Sequence, residues 1–335
     1  MRTLIATNMY PTPLYPHFGI FVKEQAESLQ KASVEVEVFF TSGRNHRSAY
    51  FRDIGRLRRL IRLGRFDIIH VHHSYSALQC LAALRLARAR MPMVFTFHEG
   101  EAALDPRVRD PQADFLKQFV YSKRIKKFAL GLATAIISVS RGLPEVTGFE
   151  GQYEIIPSGA DLELFRPMDK SESRRRLALP QEKPIVFFPA DPSRLIDKDV
   201  DLFHKALAHL PRKPDILYGG AIPHEQMPVF MNAADAVIQT SRFEASPMVV
   251  KEAMACNRPV ISTDVGDVAE IFGETPGCYL TVRSPSAVAA AIECALRFRG
   301  PHEGRTRIVE LGLSMDDVTA RILSVYEKVL RLGAT

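Results

Sequence analysis

From Asp235 to Glu270 the chain reads DAVIQTSRFEASPMVVKEAMACNRPVISTDVGDVAE, a pattern that few folds can accept. The apolar run Ala236 to Ile238 predicts a buried strand, and a polar loop carrying Glu244 follows it. Ser246-Pro247 then predicts a helix start, with Ser246 as N-cap and Pro247 at the first helical position, where its missing N–H costs nothing. Glu252 falls inside that helix, eight residues after Glu244. A second strand, Pro259 to Ser262, opens into the loop Asp264-Val265-Gly266-Asp267. Strand, loop, helix, strand, loop, helix is the signature of a parallel α/β sheet. Such sheets bind ligands at the carboxyl ends of their strands, where both loops emerge. A helix N-terminus at that edge offers free N–H groups and a positive dipole end, which suit phosphate.

The same alternation fills the rest of the chain. Arg2 to Thr7 predicts a strand rather than a signal peptide, and Asn8 to Phe18 a turn-rich loop. Gly19 precedes a helix over KEQAESLQKA. It is either a plain turn glycine or a point where a ligand approaches the backbone. Val34 to Phe40 is a strand. Phe51 to Asp67 predicts an amphipathic helix, with Ile54, Leu57 and Ile61 at helical spacing and arginines on other faces. It is either a solvated helix or one that meets an anionic membrane or an anionic acceptor through Arg52 to Arg65. Asp67 to Val71 is a strand whose His70 and His72 point to one side. No carboxylate or cysteine stands near them at ligand spacing, so core or loop histidines are preferred to a metal site. After a helix over about Ala77 to Arg90, the strand Met93 to Phe97 ends in His98, a candidate for chemistry or a structural loop histidine. A long helix is expected over Ala113 to Ala133, a strand over Ala135 to Val139, and a helix opening at Ser140. Leu164 to Glu182 reads as an interdomain linker.

The second half restarts with the strand Pro184 to Phe188 and a loop carrying Arg194 and Lys198, either surface charges of a polar loop or two cations that bind a diphosphate. At 335 residues the chain can form two α/β domains. With 46% hydrophobic and 24% charged residues it has a globular composition, and a net charge of +6 permits an anionic partner without demanding one. Cys80, Cys256, Cys278 and Cys294 show no CxxC pairing and predict buried reduced thiols of a cytosolic protein. No apolar run reaches membrane-spanning length.

Taken together these residues resemble the GT-B glycosyltransferases of the retaining family 4 type. EASPMVVKE from Glu244 to Glu252 is similar to that family's E-x7-E motif. PHFGIFV near Gly19, FDIIHVH at 66–72, TFHE at 96–99, IIPSGADLELFRP at 155–167, RLIDK at 194–198 and PVISTDVGDVAE at 259–270 resemble its other motifs, in order. The resemblance implies two Rossmann-like doubly wound parallel-sheet domains facing a cleft. Residues 1–165 would form the acceptor-side domain, 166–313 the nucleotide-sugar domain, and 314–335 a helix returning to the first. Arg194 and Lys198 would hold the donor diphosphate, with the N–H groups of Met248 and Val249, and Gly19 would allow close backbone approach. Glu252 would bind the ribose, and Ser246 would lie at the same donor pocket. Glu244 would face the sugar, and His98 would complete the catalytic site on closure. No metal or other cofactor is implied. The donor would be a UDP- or GDP-sugar, the acceptor a glycan or lipid-linked molecule, and the setting cytoplasmic, at the inner membrane face if the arginine helix docks there.

The chain also departs from the family pattern. It has a single glycine in the first loop, Ala245 where glycine is common, Ser158 in place of asparagine, and Pro189-Ala190-Asp191 before Arg194. Two other classes compete: a nucleotide-sugar epimerase or hydrolase, and a non-catalytic basic binding protein. For nucleic acid there is neither aromatic interleaving nor a motif.

Overall fold

The computed structural model describes residues 1–42, 48–98, 122–142, 147–193 and 198–333. They form two compact units. Among the described residues, one takes those up to Pro157 together with those from Asp316 on, and the other takes Ser158 to Met315.

The first unit holds six strands: β1 (Arg2–Thr7), β2 (Glu35–Phe40), β3 (Ile68–His72), β4 (Met93–Phe97), β5 (Ala135–Ser138) and β6 (Glu154–Ile155). Their order is β2-β1-β3-β4-β5-β6, and every pairing is parallel. β3 and β4 are buried along their whole length, as central strands covered on both faces must be. The Ile20–Lys31 helix buries Val22, Gln25, Ala26 and Leu29, one stripe at helical spacing. The Met315–Gly333 helix supplies Val318, Ile322, Val325, Tyr326 and Val329 to the core that also contains Ile5, Val22, Ile68 and Val94.

The second unit holds β7 (Ile185–Phe188), β8 (Asp215–Tyr218), β9 (Ala236–Gln239), β10 (Val260–Thr263) and β11 (Cys278–Thr281), ordered β11-β10-β9-β7-β8 and again all parallel. Alternation divides its side chains between two cores: Ile185, Phe187 and Val237 pack on one face, and Val186, Phe188, Ala236 and Ile238 on the other. Each sheet reverses its strand order once, between β1 and β3 in the first unit and between β7 and β9 in the second. Both units are doubly wound parallel α/β sheets, as the resemblance implies.

Several expectations change. The stretch read as a linker is packed structure: Phe165 is buried, and Lys170–Arg176 is a helix. Its Arg174 is 2% exposed, donates Nε–H to the Ala233 carbonyl at 2.9 Å, and ion-pairs with Asp235 at 2.7 Å. The many arginines that made this segment look solvated hide one that is a core group. Of the cysteines, Cys80 and Cys256 are buried, but Cys278 is half-buried and Cys294 exposed, all as free thiols. The basic helix spans Ala49–Gly64, and the helix after β3 spans Ser74–Ala87. Within the expected Ala113–Ala133 helix the described residues form a helix over Lys123–Leu130, N-capped by Ser122; 113–121 lie outside the described residues. Most of the segment after Ser140 lies outside the described residues.

Candidate active site

The β7 and β9 loops leave neighbouring strands at the point where the second sheet reverses its order, the usual ligand position in such sheets. The β7 loop returns through Lys198, and the β9 loop carries Glu244. Lys198 Nζ ion-pairs with Glu244 Oε1, which also accepts the Ser241 hydroxyl at 2.9 Å. Both side chains remain partly exposed, 24% and 20%. The Thr240 hydroxyl donates to the carbonyls of Lys198 and Asp199 at 2.9 and 3.1 Å, stitching the loops together. Asp199, buried and in the left-handed region at φ 47°, ion-pairs with Arg242 and Arg283. Arg283 further donates to the Thr240 and Ser241 carbonyls. Sequence reasoning missed Ser241, Asp199 and Arg283, because single polar residues in loops carry no periodic signal. Arg194 lies outside the described residues.

The helix after Glu244 is Met248–Ala255, with Pro247 as its N-cap. The expected Ser246 cap is therefore corrected by one residue. The Ser246 hydroxyl donates instead to Asp267 Oδ2 at 2.5 Å and accepts from Lys251 Nζ. Met248 and Val249 occupy the first turn, where backbone N–H groups have no intrahelical acceptor. Glu252 stands one turn in and is 4% exposed.

Lys251, fully buried, also donates to the Ser158 carbonyl at 2.8 Å and lies 3.8 Å from Asp267 Oδ2. Burial pulls its ammonium below the ordinary lysine range, against the attraction of Asp267 and Glu252. Burial likewise pushes the Asp267 carboxyl up, opposed by Lys251 and the Ser246 hydrogen bond. A lysine inside the apolar run MVVKEAMA was the signal for this group, and it was overlooked. Gly266 closes the arrangement. At φ +58° it brings the β10 loop so near the β9 loop that a Cβ there would meet the Ala245 carbonyl oxygen at 2.5 Å.

In the first unit the carboxyl ends of β3 and β4 carry histidines. His72, the last residue of β3, hydrogen-bonds through Nδ1 to His98 Nε2 at 2.7 Å. The two rings meet edge to edge, with centroids 5.0 Å apart and planes 19° from parallel, and Phe21 packs on His98 at 4.6 Å. His70 and His72 share a side of β3 and stack at 4.5 Å. His70 is bound at both nitrogens, to the Tyr326 hydroxyl and the Thr96 hydroxyl at 2.6 Å each. Burial, reinforced by the neighbouring imidazole, lowers all three: His70 to about 3, and His72 and His98 well below the ordinary value. They are neutral near pH 7. Among the described residues no group of His, Cys, Asp and Glu is arranged to hold a metal. Gly19 has a structural reason of its own: at φ +75° it packs so closely on the Met9–Tyr10 backbone that a Cβ would lie 2.3 Å from the Met9 carbonyl carbon.

Residues 15–164 match the family described as Glycosyltransferase Family 4, and residues 194–297 match Glycosyl transferases group 1. TuaC of Bacillus subtilis, named for glycosyl transfer in teichuronic acid biosynthesis, is 25% identical over 87% of this chain and 88% of its own. The D-inositol 3-phosphate glycosyltransferase of Xylanimonas cellulosilytica is 23% identical, over 80% of this chain and 73% of its own. Among solved structures, sucrose-phosphate synthase from Thermosynechococcus elongatus superposes with a TM-score of 0.81 at 19% identity, covering 100% of both chains. Anabaena HepE in complex with UDP gives 0.70 at 16% identity, covering 98% of this chain and 100% of its own.

Proposed function

This chain belongs to the family 4, group 1 glycosyltransferases of GT-B fold, and we propose that it moves a hexose from a nucleotide diphosphate sugar to a glycan or lipid-linked acceptor. In this reading the configuration is retained and no metal ion takes part. The observation that carries it is the Lys198–Glu244 pair at the strand-order reversal, with the start of the Met248–Ala255 helix next in the chain.

Breaking a sugar–diphosphate bond builds positive charge at the anomeric carbon and negative charge on the leaving phosphate. Fixed donors and cations that meet the phosphate only as that charge grows are worth several kcal/mol. Lys198 supplies a cation with three donors, so it can hold Glu244 and a phosphate oxygen together. Arg194 and the Met248 and Val249 N–H groups add to it, the latter with the helix dipole behind them. A carboxylate in the middle of a rigid helix suits two ribose hydroxyls, and this role falls to Glu252. Glu244 faces the transferred sugar, and His98 hydrogen-bonds to it. Retention follows from front-face attack of the acceptor on the side the diphosphate leaves.

The donor class draws support from HepE, whose structures include complexes with UDP and with UDP-glucose. The relatives are named for different chemistries: teichuronic acid biosynthesis, inositol 3-phosphate and mannosyl transfer. A lipid-linked acceptor would suit the Ala49–Gly64 helix, which exposes Arg52, Arg56, Arg59 and Arg62 with Phe51 and Leu63. A cytoplasmic setting, at the inner membrane face, belongs to the same reading.

The test is thermal shift with UDP, GDP and ADP, followed by turnover of the matching nucleotide-sugars with chelator present. One nucleotide should raise the Tm by mass action, and its sugar should be consumed with the α or β linkage preserved. No shift with any nucleotide, or inversion at the anomeric carbon, would overturn the reading.

A further inference from the structure

The register pairs His72 with Thr96 across β3 and β4, so His98, two residues further on, emerges beside His72 at the carboxyl end of these strands. Their 2.7 Å contact joins two imidazoles through one proton. Two arrangements satisfy it. Either His72 donates from Nδ1 and His98 accepts at Nε2, or His98 donates from Nε2 and His72 accepts. The other nitrogen of His72 decides between them. His72 is fully buried, and its Nε2 has no hydrogen-bond partner among the described residues. In the second arrangement a neutral His72 would carry its proton there, leaving a buried N–H without an acceptor. In the first, that atom is a bare lone pair, which is easier to leave unmatched in an apolar site than a donor.

We propose that His72 is a positioning residue for His98, holding it by this bond in the neutral tautomer protonated at Nδ1. His98 then has its Nε2 lone pair already occupied and offers one N–H. It meets a ligand oxygen as a hydrogen-bond donor, neither as a base nor as a cation. The groups facing the pair favour neutrality. His70 stacks on His72 and is itself fixed by Tyr326, Thr96 and Gln25. His73 opposes a charge on His98, and Phe21 covers one face of that ring. The consequence for the reaction rests on His98 meeting the donor sugar, as proposed above; the tautomer does not.

The experiment uses the full chain with ¹⁵N-labelled histidine and reads protonated and bare ring nitrogens by long-range NMR correlation near neutral pH. His98 and His72 should each show a protonated Nδ1 and a bare Nε2. A proton on His98 Nε2, or a charged His98 ring, overturns the proposal. Two variants add a functional reading. His72→Phe removes the donor and should let His98 populate both tautomers. It should lower kcat about fivefold to tenfold, the cost of one hydrogen bond, and add a pH limb to kcat between about pH 6 and 8. His72→Asn keeps an N–H near the Nδ1 position and should restore the His98 tautomer and most of kcat. An unchanged His98 tautomer in His72→Phe, or Asn failing to restore it in a folded protein, overturns the proposal. If His98→Ala keeps full turnover while wild-type His98 is protonated at Nδ1, the tautomer assignment stands and the sugar contact of His98 falls.

Discussion

Lys198 and Glu244 are joined across the two loops that leave β7 and β9, so a cation and a carboxylate neutralise each other where the second sheet reverses its strand order. Ser241 and Thr240, at the start of the β9 loop, hold the Glu244 carboxylate and the Lys198 backbone. Lys198→Ala should lower kcat by about 10²-fold or more, the usual cost of one preorganised charge-stabilising group. Glu244→Gln should lose turnover to a similar extent while nucleoside diphosphate affinity stays within about threefold. Steady-state kinetics beside calorimetric titration separate the two. A Glu244→Gln enzyme that loses nucleotide affinity alone would remove Glu244 from the sugar.

Glu252 gives a cleaner binding prediction. Truncation in Glu252→Ala removes charge-assisted hydrogen bonds to the ribose and should weaken nucleoside diphosphate binding by about 10- to 100-fold. Equal affinity in the two proteins rules out the ribose assignment.

Lys251 and Asp267 should report on stability. Asp267→Ala leaves a fully buried ammonium without its carboxylate, and losing one partner of such a pair costs about 3–5 kcal/mol. The lower Tm should be partly recovered in the double variant Lys251→Met/Asp267→Ala, which removes the stranded charge. A double variant less stable than Asp267→Ala would show that Lys251 acts through packing and its Ser158 contact.

Acid should destabilise the first unit through its histidines. His70 stays neutral in the folded chain down to about pH 3, whereas an unfolded histidine takes up its proton near pH 6.5. Between these values the unfolded state binds more protons, so stability falls as the pH is lowered, by about 1.4 kcal/mol per pH unit for one histidine. His72 and His98 act in the same direction. Denaturant melts of His70→Gln should show a shallower loss than wild type from about pH 6 to 4. Parallel curves would mean that His70 is charged in the folded protein.

Metal dependence is tested directly. Activity in excess chelator should match that of the untreated enzyme, since the charge stabilisation is assigned to Lys198, Arg194 and backbone N–H groups. Loss of activity restored by a divalent cation would refute that assignment.

Much of this architecture can be read from periodicity. Buried parallel strands are apolar runs, and IIHVH, AVIQ and VIST announce β3, β9 and β10 with little ambiguity. The Glu244–Glu252 spacing and the cap region before Met248 were legible for the same reason, although Pro247 and not Ser246 occupies the N-cap. Long-range polar pairing was not legible. Arg174 looked like one more charge in a polar segment, yet it reaches across sixty-one positions to Asp235. Ser246 looked like a cap and serves instead as the bridge between Lys251 and Asp267. Which histidine nitrogen meets which partner depends on register between strands that the sequence separates by a whole helix.

The Met315–Gly333 helix completes a core whose other members all precede residue 158. During synthesis the first unit must wait for the whole stretch from Ser158 to Met315 to be made before Val318, Ile322 and Tyr326 can reach Ile5 and Ile68. At ~5–20 residues per second that is a delay of roughly 10–30 s. Throughout it the apolar side chains that this helix covers lack that cover. The buried His70 lacks its Tyr326 partner for as long, so a late-arriving hydroxyl finishes the histidine column that the first strands began.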